Sequence, residues 1–324
     1  MRYVLALPCP ACGGRQTTEL ASRDDIRDEV ERLWAFHGRR LRAPVPPVRL
    51  MDRLVFSQEP PLRLARCDAC GTVLREPGAP GAAVAAAYAA ERPGDDVLRW
   101  LFEAQRPGYR AQARRLTRLV GHTGSGLEVG SYAGAFLAAA HDAGWRFEGV
   151  DVNPHAARFA RRAGLAVSQG GIEEVARSRR FDAVAIWNCF EQLPDPGAAA
   201  RAARSLLVPG GMLAVRVPNG GMYATLRGRL RGRLAAPAAA LLALNNLLTF
   251  PYRHGFTPAS LARLLAASGF RVVHLRGDVL VRTADRWTRP WAALEERALK
   301  WLWRPGARLL PAHAPWIEAY ARVA

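Results

Sequence analysis

The chain has 324 residues, of which 50% are apolar and 8% aromatic, and this composition excludes an intrinsically disordered protein. Lys and Arg number 46 against 28 Asp and Glu, which gives a formal net charge of +18. All the cations except Lys300 are Arg, and Ala, Gly and Pro are abundant. A genome-wide codon bias therefore accounts for the charge as well as a nucleic-acid surface does.

Neither the N-terminus nor the most apolar stretch has the features of a membrane or export signal. The opening "MRYVLALPCPACGG" has too short an apolar run for a secretory signal. The stretch 235–250 is broken by Pro237 and by Asn245–Asn246, and it lacks the ~20 apolar residues of a membrane span. These features predict a soluble, cytoplasmic protein.

Four of the five cysteines form two C-x-x-C pairs, each followed by glycine. Two such pairs supply the four thiolates that Zn²⁺ prefers, and the glycines suit a left-handed turn. Redox thiols and two disulfides are the alternatives, and a reducing cytoplasm argues against disulfides. The sequence predicts a structural zinc site with the ligands Cys9, Cys12, Cys67 and Cys70.

The two cysteine pairs are 54 residues apart, more than the roughly 15–20 of compact four-cysteine sites. Residues 17–44 carry helical periodicity. We therefore predict a zinc-ribbon-like module with a helical insert over 1–78. Residues 79–94 are rich in Ala, Gly and Pro and are interpreted as a linker.

From residue 95 onward the pattern becomes an alternation of helices and strands. Residues 95–120 have helical periodicity, with Asp95 or Asp96 as a candidate N-cap. The segments that follow are "GLEVG", a helix at 134–143, "FEGVDV", a helix from 154, "FDAVAIW", a helix from 196, a Pro-Gly-Gly turn and "GMLAVRVP". This alternation predicts an α/β fold with a doubly wound, mostly parallel sheet, whose ligands sit at the carboxyl ends of the strands.

The residues with chemical potential fall at those strand ends. Gly130 permits a sharp turn after the first strand, and Gly134 lets the next helix begin close to a ligand. Asp151 ends the second strand, 21 residues after Gly130, where an acid can accept hydrogen bonds from a ribose diol. Ile172 follows the third strand and can lie against an adenine. The exit of the fourth strand is 188–192.

The order of these motifs resembles that of class I S-adenosylmethionine-dependent methyltransferases. The motifs are the glycine turn, the acid after strand two, the "FD" strand and the "PGG" strand. The resemblance covers roughly 95–280 and implies a seven-stranded sheet. Residues 254–270 resemble the family's helix before strand six, and "WIEAYARVA" its closing strand seven. The methyltransferase domain would then span 95–324, with helical insertions at about 220–253 and 284–312.

The resemblance also implies a site for S-adenosylmethionine. In that family the glycine turn passes under the methionine part of the cofactor, the acid after strand two binds the ribose, and the strand-four exit faces cofactor and substrate. The cofactor-binding residues that it implies here are Glu128, Gly130, Ser131, Tyr132, Gly134, Asp151, Val152, Gly171, Ile172, Trp187 and Asn188.

The chain departs from the family at the strand-four exit. Relatives often carry Glu-His there, whereas this chain has Glu191 and Gln192, and Gln cannot act as a general base. His254 is the nearest alternative by motif position, with Tyr252 beside it. These four residues are the catalytic candidates, and Cys189 is expected to line the site as a packing residue.

The reaction that the resemblance implies is an SN2 methyl transfer. The implied acceptor is a small molecule, because the N-terminal cysteine module is similar to that of subfamilies acting on sugars and other metabolites. A base is needed only for a hydroxyl or a carbon acid. The choice among O-, N- and C-methylation, and the oligomeric state, stay open.

Four alternatives remain beside this interpretation. A nicotinamide-dependent dehydrogenase is disfavoured because the glycines do not follow G-x-G-x-x-G. An RNA methyltransferase could use the zinc module and the basic segment 223–234, but that segment lacks interleaved aromatics and is favoured as a solvated face. The arginines of that segment, the Leu-rich stretch after them and the Trp-rich segment 287–303 could form a membrane-surface platform for a lipid-linked substrate, although a cap over the substrate pocket is favoured. Intact Gly130, Gly134 and Asp151 argue against a cofactor-binding protein without catalysis.

Overall fold

The computed structural model describes residues 2–5, 7–42, 63–76, 81–245, 247, 253–279 and 287–324. In chain order the strands are β1 (Arg2–Val4), β2 (Gln16–Ala21), β3 (Arg63–Cys67), β4 (Val73–Glu76), β5 (Ser125–Val129), β6 (Arg146–Asp151), β7 (Val167–Gln169), β8 (Phe181–Trp187), β9 (Leu207–Pro218), β10 (His254–Gly255), β11 (Phe270–Asp278) and β12 (Trp316–Val323). The α-helices are α1 (Arg23–Arg40), α2 (Gly81–Ala90), α3 (Asp95–Val120), α4 (Ala135–Asp142), α5 (Pro154–Arg162), α6 (Pro196–Leu206), α7 (Gly220–Arg227), α8 (Ala235–Leu244), α9 (Pro258–Ala267) and α10 (Pro290–Leu309).

The chain divides into two compact units. The first unit consists of Met1–Gly78, Val217–Arg263 and Leu275–Ile317, and the second of Ala79–Arg216, Leu264–His274 and Glu318–Ala324. The first break coincides with the end of the predicted zinc-ribbon-like module. The first unit also takes in much of the two segments that the sequence marked as helical insertions.

A five-stranded sheet in the order β1-β2-β3-β4-β10 lies in the first unit. Its four pairings are antiparallel, and the register places Thr17 opposite Cys67 and His254 opposite Leu74. The first C-x-x-C turn precedes β2 and the second follows β3, so pairing of β2 with β3 brings the two turns to the same end of the sheet.

The predicted helical insert between the cysteine pairs is confirmed as α1. Ser22 and Asp25 form a capping box at its start: the Ser22 hydroxyl accepts from the Asp25 amide and the Asp25 carboxylate accepts from the Ser22 amide. Its apolar side packs into a core that includes Leu33, Tyr223 and Leu242. Because α7 and α8 supply two of these residues, the insertion around 220–245 is part of the core of the first unit.

A seven-stranded sheet in the order β11-β12-β9-β8-β5-β6-β7 carries the alternating part of the chain. The pairings β5–β6, β6–β7, β5–β8 and β8–β9 are parallel. The order reverses at β5, which has β6 on one side and β8 on the other, and such a reversal opens a crevice at the carboxyl ends of the strands. The predicted α/β class, the seven-stranded sheet and the closing C-terminal strand are confirmed.

The predicted N-cap of the first long helix is corrected. The helix α3 begins at Asp95, and its N-cap is Gly94, whose extended backbone precedes the first turn. Asp95 and Asp96 both lie inside that first turn. Their carboxylates there meet the partial positive charge of the helix N-terminus, so an acid is favourable at either position without capping it.

The Pro-Gly-Gly motif is also corrected, because it lies within β9 and does not precede it. The register against β8 moves from Phe181 opposite Leu207 to Ala183 opposite Met212, so Pro209–Gly211 form a bulge in the strand. The segment interpreted as a linker contains α2, a helix that its seven alanines favour.

The described part of the chain contains no helix that is both long and apolar enough to cross a membrane. The apolar stretch near residue 240 forms the ten-residue helix α8, and Asn246 and 248–252 lie outside the described residues.

Asn219, fully buried at the end of β9, organises the first unit through both ends of its amide. Its Oδ1 accepts from the amides of Gly221 and Met222 at 3.0 and 3.2 Å and so caps α7. Its Nδ2 donates to the carbonyls of Pro311 and Ala314 at 3.1 and 2.8 Å. One side chain therefore ties the start of α7 to the segment after α10.

Replacing Asn219 by Ala removes a helix cap and leaves buried backbone groups without partners. We expect Asn219→Ala to lower the free energy of unfolding by about 2–4 kcal/mol in urea titrations. Ser205→Ala, which removes an exposed hydroxyl that donates to the Ala202 carbonyl one turn earlier in α6, should stay within about 0.5 kcal/mol. Equal losses for the two variants would contradict the role of Asn219.

Candidate functional site

Two glycines shape the turn 130–134 between β5 and α4. Gly130 has φ +71°, and a Cβ built on it would lie 2.8 Å from Cys189 Sγ. Gly134 has φ +81°, caps α4, and would bring a Cβ within 2.4 Å of Leu165 Cδ1. The left-handed backbone disfavours a side chain and the close packing leaves no room for one, so the two together select glycine at both positions.

Asp151 ends β6 with its carboxylate buried and held by two backbone amides. Its Oδ2 accepts from the Tyr132 amide at 2.7 Å, and its Oδ1 accepts from the Asn153 amide at 2.8 Å. Burial raises the pKa of Asp151, while these two hydrogen bonds oppose the rise. Each carboxylate oxygen keeps capacity for a further hydrogen bond, and its direction is fixed by the backbone.

Glu128 and Ser131 present polar atoms without hydrogen-bond partners among the described residues. Both side chains are buried, and the atoms concerned are Glu128 Oε2 and Ser131 Oγ. Burial raises the pKa of Glu128 well above its usual value, with a smaller rise from the charge of Asp151, and the Leu137 amide opposes this. Buried polar atoms are normally paired, so these two mark a place where a polar ligand fits.

The exit of β8 is held by polar contacts around Asn188, which has the unusual φ of +56°. Gln192 Nε2 donates to the Asn188 carbonyl at 2.7 Å, and Arg216 Nε donates to Asn188 Oδ1 at 2.7 Å. Gln192, predicted as a catalytic candidate, thus serves here to fix the loop backbone.

The Trp187 side chain lies in the core and away from solvent. Its ring packs against the rings of Tyr109, Phe136 and Tyr320, with centroids 5.2–6.4 Å apart. The alternation of side chains along β8 directs it to the same side as Ala183 and Ala185. What Trp187 can offer a cofactor is therefore its main chain.

The charges of three carboxyl groups act on the Cys189 thiol. Burial raises the pKa of Cys189 above its usual value, and the charges of Glu191, Asp151 and Glu128 raise it further. Such a thiol stays protonated and is a poor nucleophile. Burial also raises the pKa of Glu191 to about 8, partly offset by hydrogen bonds from its own amide and from Gln192 and then by the charge of Arg216. Glu191 Oε2 has no partner among the described residues.

The helix α2 supplies residues to the same site. The Tyr88 hydroxyl donates to Gln192 Oε1, and Asn153 Nδ2 donates to the carbonyls of Tyr88 and Glu91 at 2.8 and 3.2 Å. Burial raises the pKa of Glu91 to about 7, with a further contribution from the charge of Asp151. Glu91 is thus a fourth carboxyl near this edge.

Sequence reasoning missed Tyr88, Glu91 and Asn153. The first two lie in the segment interpreted as a linker, where the run of alanines around Tyr88 was the signal for a helix. The sequence "DVNP" carried a signal for Asn153 as well, because Asn before Pro is typical of a helix start, and Asn153 does cap α5.

The remaining predicted cofactor residues lie along the neighbouring strand ends. Val152 directly follows Asp151 and is half-buried. The Gly171 amide donates to Glu174 Oε1 at 3.1 Å, and Ile172 is buried at the start of a short 3₁₀ turn. The glycine turn, the two strand ends and this turn all belong to the second unit.

Of the four predicted catalytic residues, the second unit contains Glu191 and Gln192. His254 lies in β10 of the first unit, buried and opposite Leu74. Tyr252 lies outside the described residues.

The four predicted metal ligands form one cluster. Their sulfur atoms lie within 4.8 Å of one another, and the closest contacts, Cys9 to Cys70 and Cys12 to Cys67, are both 3.6 Å. Each contact joins one C-x-x-C turn to the other. A tetrahedral Zn²⁺ with bonds of about 2.3 Å separates its sulfurs by nearly 3.8 Å, so this arrangement fits one such ion.

Part of the basic segment 223–234 is neutralised by acids of α1. Arg227 Nε lies 2.6 Å from Glu29 Oε1, and the Tyr223 hydroxyl donates to Glu29 Oε2 at 2.8 Å. The exposed Arg231 contacts Asp25. These ion pairs neutralise arginines that an RNA-binding protein would need for contacts with phosphates. They therefore weaken the RNA methyltransferase alternative.

Comparison with known proteins gives one family. The family described as "Methyltransferase domain" matches residues 87–275, more than half of the chain. A ubiquinone biosynthesis O-methyltransferase of Ralstonia nicotianae is 29% identical over 161 residues, covering 47% of this chain and 64% of the relative. An uncharacterized protein of Mycobacterium tuberculosis is 38% identical over 156 residues, covering 46% and 48%. The chain therefore spans less than two thirds of the length of these curated relatives.

Two solved structures are similar at low identity. A possible histamine N-methyltransferase of Thermotoga maritima aligns with a TM-score of 0.46 and 16% identity, over 71% of this chain and 95% of its own. A 1,6-didemethyltoxoflavin-N1-methyltransferase of Burkholderia thailandensis aligns with a TM-score of 0.44 and 19% identity, over 81% and 95%.

The raised pKa of Glu191 predicts a pH-dependent stability. The folded protein binds this proton more tightly than the unfolded chain, so its contribution is complete below pH ~4.3 and is lost as the pH rises toward about 8. Without ligand, Glu191→Gln should therefore lose less stability than the wild type between pH 5 and pH 8.5, by on the order of a few kcal/mol.

Chemical denaturation at several pH values measures this difference. The matched control is Glu173→Gln, which alters an exposed carboxylate on the 3₁₀ turn and should follow the wild-type curve. Parallel curves for Glu191→Gln and the wild type would mean that Glu191 is not held protonated by burial.

Proposed function

The chain belongs to the methyltransferase-domain family, and on that premise we propose that it transfers a methyl group from S-adenosylmethionine to a small organic acceptor. The observation that carries the proposal is the meeting of the glycine turn, Glu128 and Asp151 where the strand order reverses. In such sheets that edge is the ligand-binding edge.

We assign the ribose diol of the cofactor to Asp151. Two backbone amides already fix its carboxylate, and each oxygen can accept one more hydrogen bond. Ile172, buried beside the end of β7, would offer an apolar surface to the adenine ring, and Val152 and Gly171 would flank it.

We assign the methionine part of the cofactor to the glycine turn. Glu128 Oε2 and Ser131 Oγ would accept hydrogen bonds from its ammonium group, which supplies the partners that these buried atoms lack among the described residues. The main chains of Tyr132, Trp187 and Asn188 would complete the floor of the site.

When bound, the cofactor supplies a methyl group made electrophilic by the sulfonium. The protein's work is to hold the acceptor atom in line and to exclude water. For a hydroxyl acceptor, Glu191 is the candidate to receive the proton, because a buried carboxylate with a pKa of about 8 is a stronger base than an ordinary one. The catalytic roles of His254 and Tyr252 stay predictions from the sequence, and an amine acceptor needs no base.

The proposed acceptor class is a small molecule. It is supported by the Ralstonia relative, whose name assigns O-methylation in ubiquinone biosynthesis, and by the ion pairs that use arginines of the basic segment. Both observations favour a small acceptor over RNA.

The four cysteines are proposed to hold a structural Zn²⁺. All four ligands come from the protein, which leaves no open coordination position for catalysis. The ion would join the turn before β2 to the turn after β3 and so fix one end of the five-stranded sheet.

Removal of the ribose-binding carboxylate tests the cofactor site. Asp151→Asn should weaken S-adenosylmethionine binding about tenfold, on the order of 1.4 kcal/mol, in calorimetry. Asp142→Asn is the matched control, since Asp142 lies at the exposed C-terminal end of α4 and pairs with Arg106. No binding by the wild type would overturn the proposed activity, and unchanged binding by Asp151→Asn would overturn only the ribose assignment.

Metal analysis tests the zinc proposal. The purified chain should contain close to one zinc per molecule, and Cys67→Ser should lose it and unfold at a lower temperature. Cys189→Ser, the fifth cysteine, should keep the metal. Zinc loss in both variants, or in neither, would contradict a site made by the two C-x-x-C pairs.

A further inference from the structure

The helix α10 carries an ion pair on its buried side, where Leu299 and Trp303 also pack, and large apolar side chains on its exposed side. Its buried side includes Ala292, Glu296, Lys300 and Ala307. The two charged groups on that side form an ion pair, with Lys300 Nζ donating to Glu296 Oε1 at 2.7 Å. Pairing satisfies the buried charges, which explains how this face can lie inside the first unit.

The opposite side of α10 is apolar and open to solvent. Trp301 is 72% exposed and Leu302 66%. The exposed apolar residues lie three, four or seven positions apart, with one adjacent pair, and so form one stripe: Trp291, Leu294, Ala298, Trp301, Leu302 and Leu309. Together they expose roughly several hundred Å² of apolar surface, and a contiguous patch of that size marks an interaction site.

The exposed charges beside this stripe are mostly positive. The exposed charged residues of the helix are Arg297, Arg304 and Arg308, and the Glu295 side chain is 41% exposed but paired. The two acids of the helix are both paired, Glu295 with Arg40 and Glu296 with Lys300. The stripe therefore lies within a positive electrostatic field, and a partner that matches it must offer both an apolar surface and negative charge.

An anionic bilayer surface has both properties. A second copy of α10 on a two-fold axis would bring arginines against arginines. A nucleic acid would satisfy the arginines but leave the Leu and Trp side chains in water. At a bilayer surface Leu enters the acyl boundary, Trp lies at the headgroup level, and Arg extends to lipid phosphates. We infer that α10 docks the protein peripherally on an anionic phospholipid surface through this stripe.

Vesicle sedimentation of the full chain tests the inference. The probes are phosphatidylcholine vesicles with and without about one third phosphatidylglycerol. The wild type should bind the anionic vesicles at least about tenfold more tightly. Trp301→Glu should lose that binding about tenfold or more, and the triple change of Arg297, Arg304 and Arg308 to Gln should remove the preference for anionic lipid.

Val4→Glu is the matched control, since Val4 is 64% exposed and lies on β1. It should bind like the wild type. The milder Leu302→Gln, with circular dichroism of all variants, separates lost binding from misfolding. The inference is overturned if the wild type shows no preference for anionic vesicles, or if folded α10 variants bind like Val4→Glu. A dimer in solution that Trp301→Glu dissolves, without vesicle binding, would assign the stripe to a second copy.

Discussion

The burial of carboxyl groups at one edge of the seven-stranded sheet is the constraint on which the site depends. Glu128, Asp151 and Glu191 are almost fully buried, Glu91 is partly so, and burial raises the pKa of all four. Charges held out of water cost several kcal/mol each unless they are compensated. Arg216 and a few backbone amides offset part of this cost. The edge of the sheet therefore favours either protonated carboxyl groups or a bound cationic ligand.

The local structure around this edge follows from that constraint. The left-handed Gly130 lets the chain pass close to Cys189, whose neutral thiol fills space among the acids without adding charge. The helix α2 closes one side of the site, because the Tyr88 hydroxyl donates to Gln192 and the Tyr88 carbonyl accepts a hydrogen bond from Asn153. Gln192 in turn donates to the Asn188 carbonyl and so holds the loop after β8. A sulfonium and an ammonium in one ligand match such surroundings better than a neutral ligand does.

Much of the fold and of the candidate site was predictable from the sequence. The strand–helix alternation, the glycine turn and the position of Asp151 depend on local spacing, which a single sequence displays. The burial of Glu91 and the contact of Tyr88 with Gln192 depend on tertiary packing of a segment whose Ala, Gly and Pro content resembled a linker. The Pro-Gly-Gly bulge likewise depends on a register that only the neighbouring strand fixes.

The most direct test of the electrostatic account is the number of protons released when the cofactor binds. Calorimetry near pH 7 in buffers of different ionisation enthalpy gives this number. A cation entering the carboxyl cluster lowers the raised pKa values, so S-adenosylmethionine should release up to about one proton per chain. S-adenosylhomocysteine lacks the sulfonium charge and should release fewer. Equal release for the two ligands, or none, would contradict the claim that this edge of the sheet is built to receive a cation.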